Sequence, residues 1–402
     1  MKQPIGVITH PGGFRAAGVA AGVKKKTGLR DVAVLVSDAT TTSAAVFTTI
    51  KVPAAPVQVS REHLAASRGR IRAVVVNSGN ANACTGRKGL SNARRMAALG
   101  ARALGLRDEQ VLVGSTGVIG RPLPMDKVEA GIAAAVRELR GDARGGATFL
   151  EGIMTTDLFP KEAESSFVVR GKRVRVAGVV KGAGMIAPKM ATMLCFVTTD
   201  ASVSRARLDR LLRSAVGKSF NRITVDSHMS TNDTVLVMAN GRSGVDIAGG
   251  AAERKFAASL DDVLLTLALK IVRDGEGATR VVEVRVDRAK SDADAELAAR
   301  SIVNSPLVKT ALFGADPNWG RFVSAAAAAG CAFEETKTTL RISGGVIYRR
   351  GRPLPVTPAI ERAMKQEYVT LALDLGLGRG RSVVYTCDLG YDYVKCNAEY
   401  TT

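Results

Sequence analysis

Short β-rich runs alternate with helical patterns up to about residue 140, and this alternation constrains the fold more than any other feature. The runs 32–36, 73–76 and 110–113 have the length and the β-branched residues of strands. The stretches 90–104 and 125–139 carry apolar residues at three- and four-residue spacing, which is typical of helices that bury one face. Strands that alternate with helices predict an α/β architecture.

The rest of the chain continues this mixture without an internal repeat, a low-complexity linker or a heptad run. Strands are predicted at 166–169, 173–180, 193–199, 222–225 and 234–238, and helices at 204–216 and 253–272, followed by further strands and helices and a β-rich tail. We therefore predict one mixed α/β fold with many crossing strands. Apolar residues make up 46% of the chain, which excludes disorder.

The formal net charge of +20 raises nucleic-acid binding as an alternative function, because lysine and arginine neutralise phosphates. Aromatic residues, which stack on single strands, are only 4% of the chain. The basic residues are also spread along the sequence, and attraction of small anionic substrates explains that spread equally well.

The hydropathy pattern and the cysteine spacing indicate where in the cell the protein works. No apolar stretch approaches the roughly 20 residues of a membrane span, and the basic cluster 24–26 follows the mildly apolar N-terminal stretch, unlike in a secretory signal. The cysteines form no C-x-x-C pair, so neither a disulfide framework nor a thiolate zinc site is predicted; they are Cys84, Cys195, Cys331, Cys387 and Cys396. We expect a cytoplasmic protein.

The sequence gives little support for a catalytic histidine or for a nucleotide-binding site. Of three histidines, His228 lies beside Asp226 and Ser227, but neighbouring strand residues point to opposite faces and cannot form a triad locally. The Gly-Lys-Ser sequence at 217–219 lacks the upstream glycine of a P-loop. The glycine-rich turn at 182–187 leaves no room for the crossover helix of a dinucleotide-binding motif.

That same turn brings Thr192 to the start of an apolar strand. The segment Met190-Ala-Thr-Met-Leu resembles the self-cleavage site of the ornithine acetyltransferase (glutamate N-acetyltransferase) family, the bifunctional acetyltransferases of arginine biosynthesis. Supporting motifs of the family follow in the same order over almost the whole chain: Val46-Phe-Thr-Thr, Asn77-Ser-Gly-Asn-Ala-Asn, Ser115-Thr-Gly-Val-Ile-Gly, Met154-Thr-Thr-Asp, Phe220-Asn-Arg-Ile-Thr-Val-Asp, Ser230-Thr-Asn-Asp, Asp274-Gly-Glu-Gly-Ala-Thr, Gly314-Ala-Asp-Pro-Asn-Trp-Gly-Arg and Asn397-Ala-Glu-Tyr-Thr-Thr.

The resemblance implies a reaction that needs no histidine. The Thr192 hydroxyl attacks the Ala191 carbonyl, water opens the resulting ester, and Thr192 becomes a new N-terminus. Its α-amine, with a reference pKa of about 7.7 to 8.0, can serve as general base for its own hydroxyl. The family's reaction is a double displacement, in which N2-acetylornithine acetylates the threonine and glutamate then takes the acetyl group.

The resemblance also assigns site residues. The Thr116 hydroxyl and the Gly117 N–H are expected to form the oxyanion hole. The Lys181 ammonium suits the α-carboxylate shared by both substrates, and Glu276 suits a substrate ammonium. The substrate-binding set is completed by Thr155, Thr192, Asn397 and Thr402. Neither a metal nor a cofactor is expected, and no motif decides whether acetyl-CoA is a second acetyl donor.

The fold that the resemblance implies is a layered α/β/β/α arrangement of the N-terminal-nucleophile type. Self-cleavage would divide one folded unit into an α fragment, 1–191, and a β fragment, 192–402, and two cleaved protomers would form an α2β2 heterotetramer. Lys189 and Ile50 stand where the family commonly has asparagine, and Lys189 adds a charge near the scissile bond. In the alternative, a basic nucleic-acid-binding protein, Thr192 is an ordinary strand residue and the chain stays whole.

Overall fold

The computed structural model describes residues 5–187 and 193–399, which form two compact units. Unit 1 contains the described residues up to 221 together with 228–271, and unit 2 contains 222–227 and 272–399. The predicted cut between 191 and 192 falls inside the sequence span of unit 1, so both predicted fragments contribute strands to that unit. The division into fragments stays a prediction.

Unit 1 contains nine strands and most of the residues of six helices among its described residues. The strands are β1 (Phe14–Val19), β2 (Val32–Ser37), β3 (Thr42–Phe47), β4 (Ala73–Asn80), β5 (Val111–Val118), β6 (Lys161–Val169), β7 (Lys172–Lys181), β8 (Leu194–Thr199) and β9 (Thr234–Ala239). The helices are α1 (Ala55–Ala66), α2 (Gly86–Leu104), α3 (Met125–Arg137), α4 (Ala143–Ile153), α5 (Arg205–Lys218) and α6 (Gly250–Arg273).

These strands form two sheets that face each other. The first sheet has the order β1-β2-β4-β5, and the second has the order β3-β9-β8-β7-β6. Because side chains alternate along a strand, Val76 of β4 and Val179 of β7 point into a core shared by both sheets. Phe149 of α4 and Phe196 of β8 meet edge to face in this core, with ring centroids 5.6 Å apart.

Helices cover the outer faces of both sheets. The opposite face of the first sheet, which includes Val34 and Val75, packs against Met96 of α2 and Ile132 of α3. On the second sheet, a Cβ atom at Gly178 would lie 2.9 Å from Leu267 of α6, so this helix packs directly on the strand. The layers of unit 1 therefore follow the order helix, sheet, sheet, helix, and the predicted α/β/β/α arrangement is confirmed.

Unit 2 is built around one six-stranded sheet with the order β13-β12-β11-β14-β10-β15. Its strands are β10 (Val281–Ala289), β11 (Thr339–Ile342), β12 (Gly345–Arg349), β13 (Arg352–Pro353), β14 (Tyr368–Asp374) and β15 (Gly380–Cys387). Its helices are α7 (Asp292–Asn304), α8 (Pro306–Phe313), α9 (Trp319–Ala327), α10 (Pro358–Met364) and α11 (Tyr391–Glu399). Its core joins Val284 of β10 to Ile302 of α7 and Phe322 of α9.

Two secondary-structure predictions are wrong. The β-rich tail does not continue to the end of the described chain, because Tyr391–Glu399 forms helix α11, and one predicted strand is missing. Residues 222–225 form no strand; Phe220–Arg222 is a 3-10 turn, and Ile223 makes a single parallel bridge to Tyr385. The β-branched residues of this segment are buried as parts of an irregular connection, which the local sequence pattern does not distinguish from a strand. Among the described residues, no helix has the length and apolarity required to cross a membrane.

The core between the two sheets predicts the effect of one substitution. Phe196→Ala should lower the free energy of unfolding by about 3 to 5 kcal/mol, because it leaves a cavity next to Phe149. Urea denaturation measures this change. Val168→Ala on β6, at the edge of the same sheet, is the control, since Val168 is 46% exposed and its truncation should change stability by less than about 0.5 kcal/mol. A loss at Phe196 no larger than at Val168 would contradict the interior position of the ring.

Candidate active site

Two parallel strands carry the residues predicted for the oxyanion hole. In the pairing of β4 with β5, Ser78 lies opposite Thr116 and Gly79 lies opposite Gly117. The strand predicted at 73–76 continues to Asn80, and the strand predicted at 110–113 continues to Val118, so these residues lie within strands. Thr116 is buried, so its hydroxyl acts in a largely water-free environment.

Gly117 has to be a glycine for two physical reasons. Its φ of +126° lies in a region that other residues rarely adopt. A Cβ atom there would also lie 2.4 Å from the carbonyl carbon of Gly79, closer than non-bonded atoms approach. The two strands thus come together backbone to backbone at the predicted oxyanion hole.

Lys181 lies at the end of β7, in the opposite sheet, and its side chain reaches across to Thr116. Its buried Nζ donates a hydrogen bond of 3.1 Å to Thr116 Oγ1. Because the Thr116 oxygen accepts this bond, the hydroxyl proton of Thr116 remains available for donation to another acceptor. Two residues predicted separately, 65 positions apart, are therefore direct neighbours.

A buried carboxylate, that of Asp157, fixes the surroundings of Lys181. Asp157 Oδ1 accepts hydrogen bonds from Lys161 Nζ at 2.6 Å and from the Gly182 N–H at 2.7 Å, and Oδ2 accepts one from the Thr155 N–H at 2.8 Å. Burial alone would raise the pKa of this carboxyl, but the ammonium groups of Lys161 and Lys181 and the Gly182 N–H hold the pKa below its ordinary value. Thr155, another predicted substrate ligand, is thus held in the same network.

Asp233 lies next to the predicted cleavage site. Its side chain is fully buried, and Oδ1 accepts a hydrogen bond of 3.0 Å from the N–H of Met193, the residue after Thr192. Oδ2 has no hydrogen-bond partner among the described residues. Burial raises the pKa of Asp233 well above its ordinary value, because desolvation penalises the charged form of the carboxyl.

The predicted nucleophile, Thr192, lies outside the described residues, as do Ala191, Lys189 and Thr402. The described chain resumes at Met193, and Leu194, the next residue, is paired with Lys181 at the end of β7.

In unit 2, the structure brings two other predicted residues together. Asn397 Nδ2 on α11 donates a hydrogen bond of 3.0 Å to Glu276 Oε2 and another of 3.0 Å to the carbonyl of Tyr393. The turn that carries Glu276 packs tightly on this helix, since a Cβ atom at Gly277 would lie 2.4 Å from the Tyr393 nitrogen. Burial, followed by the charges of Asp226 and Glu276, raises the pKa of Tyr393 to about 12.

Sequence reasoning assigned no role to Asp157, Lys161 or Asp233. Two of them stand in motifs that carried the resemblance, Met154-Thr-Thr-Asp and Ser230-Thr-Asn-Asp, and this is the signal that could have identified them. Within the part of the chain that the structure describes, no group of three or more His, Cys, Asp or Glu side chains is arranged to hold a metal ion.

Comparisons with known proteins point to one family. The model of the ArgJ family matches residues 15–402. The arginine biosynthesis bifunctional protein ArgJ of Symbiobacterium thermophilum is 47% identical over 406 residues, with 100% of each chain covered. The protein of the same name from Geobacter sulfurreducens is 49% identical, over 97% of this chain and 99% of its own length.

Two solved structures are also similar in sequence. The crystal structure of arginine biosynthesis bifunctional protein argJ from Bacillus halodurans is 41% identical; the match covers 47% of this chain and 94% of that chain, with a TM-score of 0.44. The structure of ornithine acetyltransferase complexed with ornithine from Mycobacterium tuberculosis is 38% identical; the match covers 48% of this chain and 96% of that chain, with a TM-score of 0.41.

The Asp157 network predicts the effect of removing its charge. Asp157→Asn should destabilise the protein by about 3 to 5 kcal/mol at neutral pH, because it leaves the buried ammonium of Lys161 without its counter-charge. Since the folded-state pKa is lowered, the contribution of the carboxylate is fully present above the unfolded-state pKa of about 3.9 and is lost as the pH falls below it. The stability difference between wild type and variant should therefore stay constant down to about pH 4 and shrink as the pH falls further.

Urea denaturation at several pH values measures this difference. Asp126→Asn is the matched control, because Asp126 is exposed at the start of α3 and its replacement should change stability by less than about 0.5 kcal/mol. A pH-independent difference at Asp157 would show that its charge is not what stabilises the fold.

Proposed function

This chain belongs to the ArgJ family, and on that premise we propose that it transfers the acetyl group of N2-acetylornithine to glutamate, giving ornithine and N-acetylglutamate. The observation that carries the proposal is the hydrogen bond of Lys181 to Thr116, beside the glycine pair of β4 and β5. This bond places an ammonium that can bind a substrate carboxylate next to a hydroxyl that can donate a hydrogen bond to an oxyanion. Acyl transfer between amino acids requires both groups.

The nucleophile of the proposed reaction is Thr192, released by self-cleavage. Its hydroxyl attacks the Ala191 carbonyl, the amide nitrogen of Thr192 takes up a proton as the C–N bond breaks, and water hydrolyses the resulting ester. Two features support this position for the nucleophile. Leu194, two residues later, is paired with Lys181, and the N–H of Met193 is held by Asp233.

Acetyl transfer then uses the same groups twice. The new α-amine of Thr192 accepts the hydroxyl proton as the oxygen attacks the acetyl carbonyl of N2-acetylornithine, and the departing nitrogen of ornithine takes a proton. The amine of glutamate next attacks the threonine ester, and the Thr192 oxygen recovers its proton. Each step passes through a tetrahedral oxyanion, for which the Thr116 hydroxyl and the Gly117 N–H are the donors.

Substrate binding in this proposal uses Thr155, Lys181, Glu276, Asn397, Thr192 and Thr402. Lys181 pairs with the α-carboxylate, and Asp157 keeps the strand end and Thr155 in place around it. Glu276, held by Asn397, provides a carboxylate for a substrate ammonium.

The wider context of the reaction follows from the same family. The relatives are named arginine biosynthesis bifunctional proteins, which supports a role in that pathway. A cytoplasmic location and acetyl-CoA as a second acetyl donor at the same threonine are further parts of the proposal. No resident cofactor takes part in the proposed reaction. Assembly of the fragments as an α2β2 heterotetramer belongs to the proposal, whereas nucleic-acid binding receives no support from the comparisons.

Intact mass under denaturing conditions tests the nucleophile. Wild-type protein should separate into two chains, each about half of the 42.2 kDa total, and the second should begin Thr-Met-Leu-Cys. Thr192→Ala should give one inactive chain of full length, because the attacking hydroxyl is gone, and Thr192→Ser should retain part of both activities. An uncut wild-type chain that transfers acetyl groups would disprove the mechanism.

The oxyanion hole is tested by Thr116→Ala. Loss of one donor should reduce the turnover number for acetyl transfer by roughly 10² to 10³ and slow self-cleavage, because both pass through an oxyanion. Steady-state kinetics with N2-acetylornithine and glutamate measure the first effect, and a time course of intact mass measures the second. Thr116→Ser, which keeps the hydroxyl, is the control and should stay close to wild type. Equal losses in both variants would assign Thr116 a packing role instead.

A further inference from the structure

Lys24, in the segment between β1 and β2, packs on the predicted oxyanion hole. A Cβ atom at Gly79 would lie 3.0 Å from Lys24 Cγ and 3.1 Å from its Cα and N. Gly79 in turn lies against Gly117, with equally little room for a side chain. Lys24, Gly79 and Gly117 therefore form three successive layers, and the lysine stem is held against the strand pair.

The segment around Lys24 is anchored by a second buried carboxylate, that of Asp31. Its two oxygens accept the N–H of Ala21 at 2.6 Å and the N–H of Lys24 at 3.0 Å. The carbonyl of Asp31 accepts the N–H of Ser78 at 2.8 Å, which ties the segment to β4. Lys24 Nζ donates one hydrogen bond of 2.5 Å to the carbonyl of Arg30, so an ammonium with three protons has further donors to offer.

The charges around Lys24 leave an excess of positive charge in this region. Lys24, Lys161 and Lys181 supply three ammonium groups, against the two buried carboxylates of Asp31 and Asp157. Glu151, which also acts on Lys24, is engaged by Arg30 at 2.8 Å. The pKa of Asp233, whose carboxyl also interacts with Lys181, is raised by burial, which disfavours a further negative charge there. A half-buried cationic excess of this kind attracts an anionic ligand.

The two amino-acid substrates of the proposed reaction differ in the charge of their side chains. Both carry an α-carboxylate, for which one ammonium, that of Lys181, is enough. Glutamate carries a second carboxylate, whereas the side chain of ornithine ends in an ammonium that a further lysine would repel. A second cation near Lys181 therefore suits the acceptor and not the donor.

We propose that Lys24 binds the side-chain carboxylate of the acceptor glutamate and so determines which amino acid takes the acetyl group. The inference rests on the proposed acetyl transfer and adds a specificity-determining residue to it. Lys24 acts in the second half-reaction, in which the threonine ester is discharged, and not in the first.

The pH dependence of acceptor binding follows from the environment of Lys24. Burial lowers the pKa of its ammonium to about 8, while Asp31, Asp157 and Glu151 act to raise it and Lys181 acts to lower it further. The charged form, which binds the carboxylate, predominates below that pH and is lost above it. The KM for glutamate should therefore rise as the pH increases through about 8.

The test separates the two half-reactions by mass spectrometry. With N2-acetylornithine alone, wild type and Lys24→Met should gain one acetyl group on the Thr192 chain at the same rate. On addition of glutamate, the KM for discharge of the acetyl group should be about 10- to 100-fold higher in Lys24→Met, as expected for loss of one charge-assisted hydrogen bond. Lys25→Met, at the exposed neighbouring position, is the matched control and should behave as wild type.

A second variant distinguishes charge from packing. Lys24→Arg keeps a cation that does not titrate, so its KM for glutamate should stay constant above about pH 8, where that of wild type rises. If Lys24→Met does not fold, the pH profile of Lys24→Arg tests by itself whether the charge at position 24 binds glutamate. A pH profile of Lys24→Arg that parallels wild type, or equal slowing of both half-reactions in Lys24→Met, would overturn the role of Lys24.

The outcome also separates this inference from the proposed function. If wild type forms no acetyl-enzyme, the proposed function fails, and calorimetric titration with glutamate then judges Lys24 by itself. Weaker binding to Lys24→Met than to wild type would support a glutamate site at Lys24. Equal binding, or no binding to wild type, would overturn it.

Discussion

The buried carboxylate of Asp157 is the interaction on which the candidate site depends. It accepts hydrogen bonds from a side-chain ammonium and from two backbone N–H groups, and these donors belong to Lys161 at the start of β6, Gly182 after β7, and Thr155 after α4. Three segments are thereby held around one charge. Because the Asp157 carboxylate is ionised and enclosed, its charge stabilises the nearby buried ammonium of Lys181.

The pair of facing sheets brings this network next to the residues predicted for the oxyanion hole. Thr116 belongs to the first sheet and Lys181 to the second, so their hydrogen bond closes the space between the sheets. Strand β8 begins in the same region, with Leu194 opposite Lys181 and Met193 bound by Asp233. The proposed cut, between Ala191 and Thr192, would make Thr192 a new N-terminus one residue before Met193, whose N–H is held by Asp233.

Much of this could be predicted from the sequence, for reasons that individual segments make clear. β7 is rich in valine, β8 begins with an apolar run, and the helical spacing of α2 and α3 is regular, so local patterns are sufficient to predict these elements. The segment 222–225 was misjudged because burial of Ile223 and Val225 comes from irregular packing and not from a sheet. Thr116, Gly117, Lys181 and Glu276 were identified through ordered motifs, whereas their contacts were not predictable from spacing.

The sequence by itself determined the alternation of elements, the family, and the residue types available for the chemistry, because these depend on local pattern and on motif order. The tertiary structure decided which residues meet. Asp157, Asp233 and Lys24 look like ordinary charged residues in the sequence, and their properties arise from burial and from partners distant along the chain. A pKa shift is set by desolvation and by neighbouring charges in space, and neither can be read from a linear pattern.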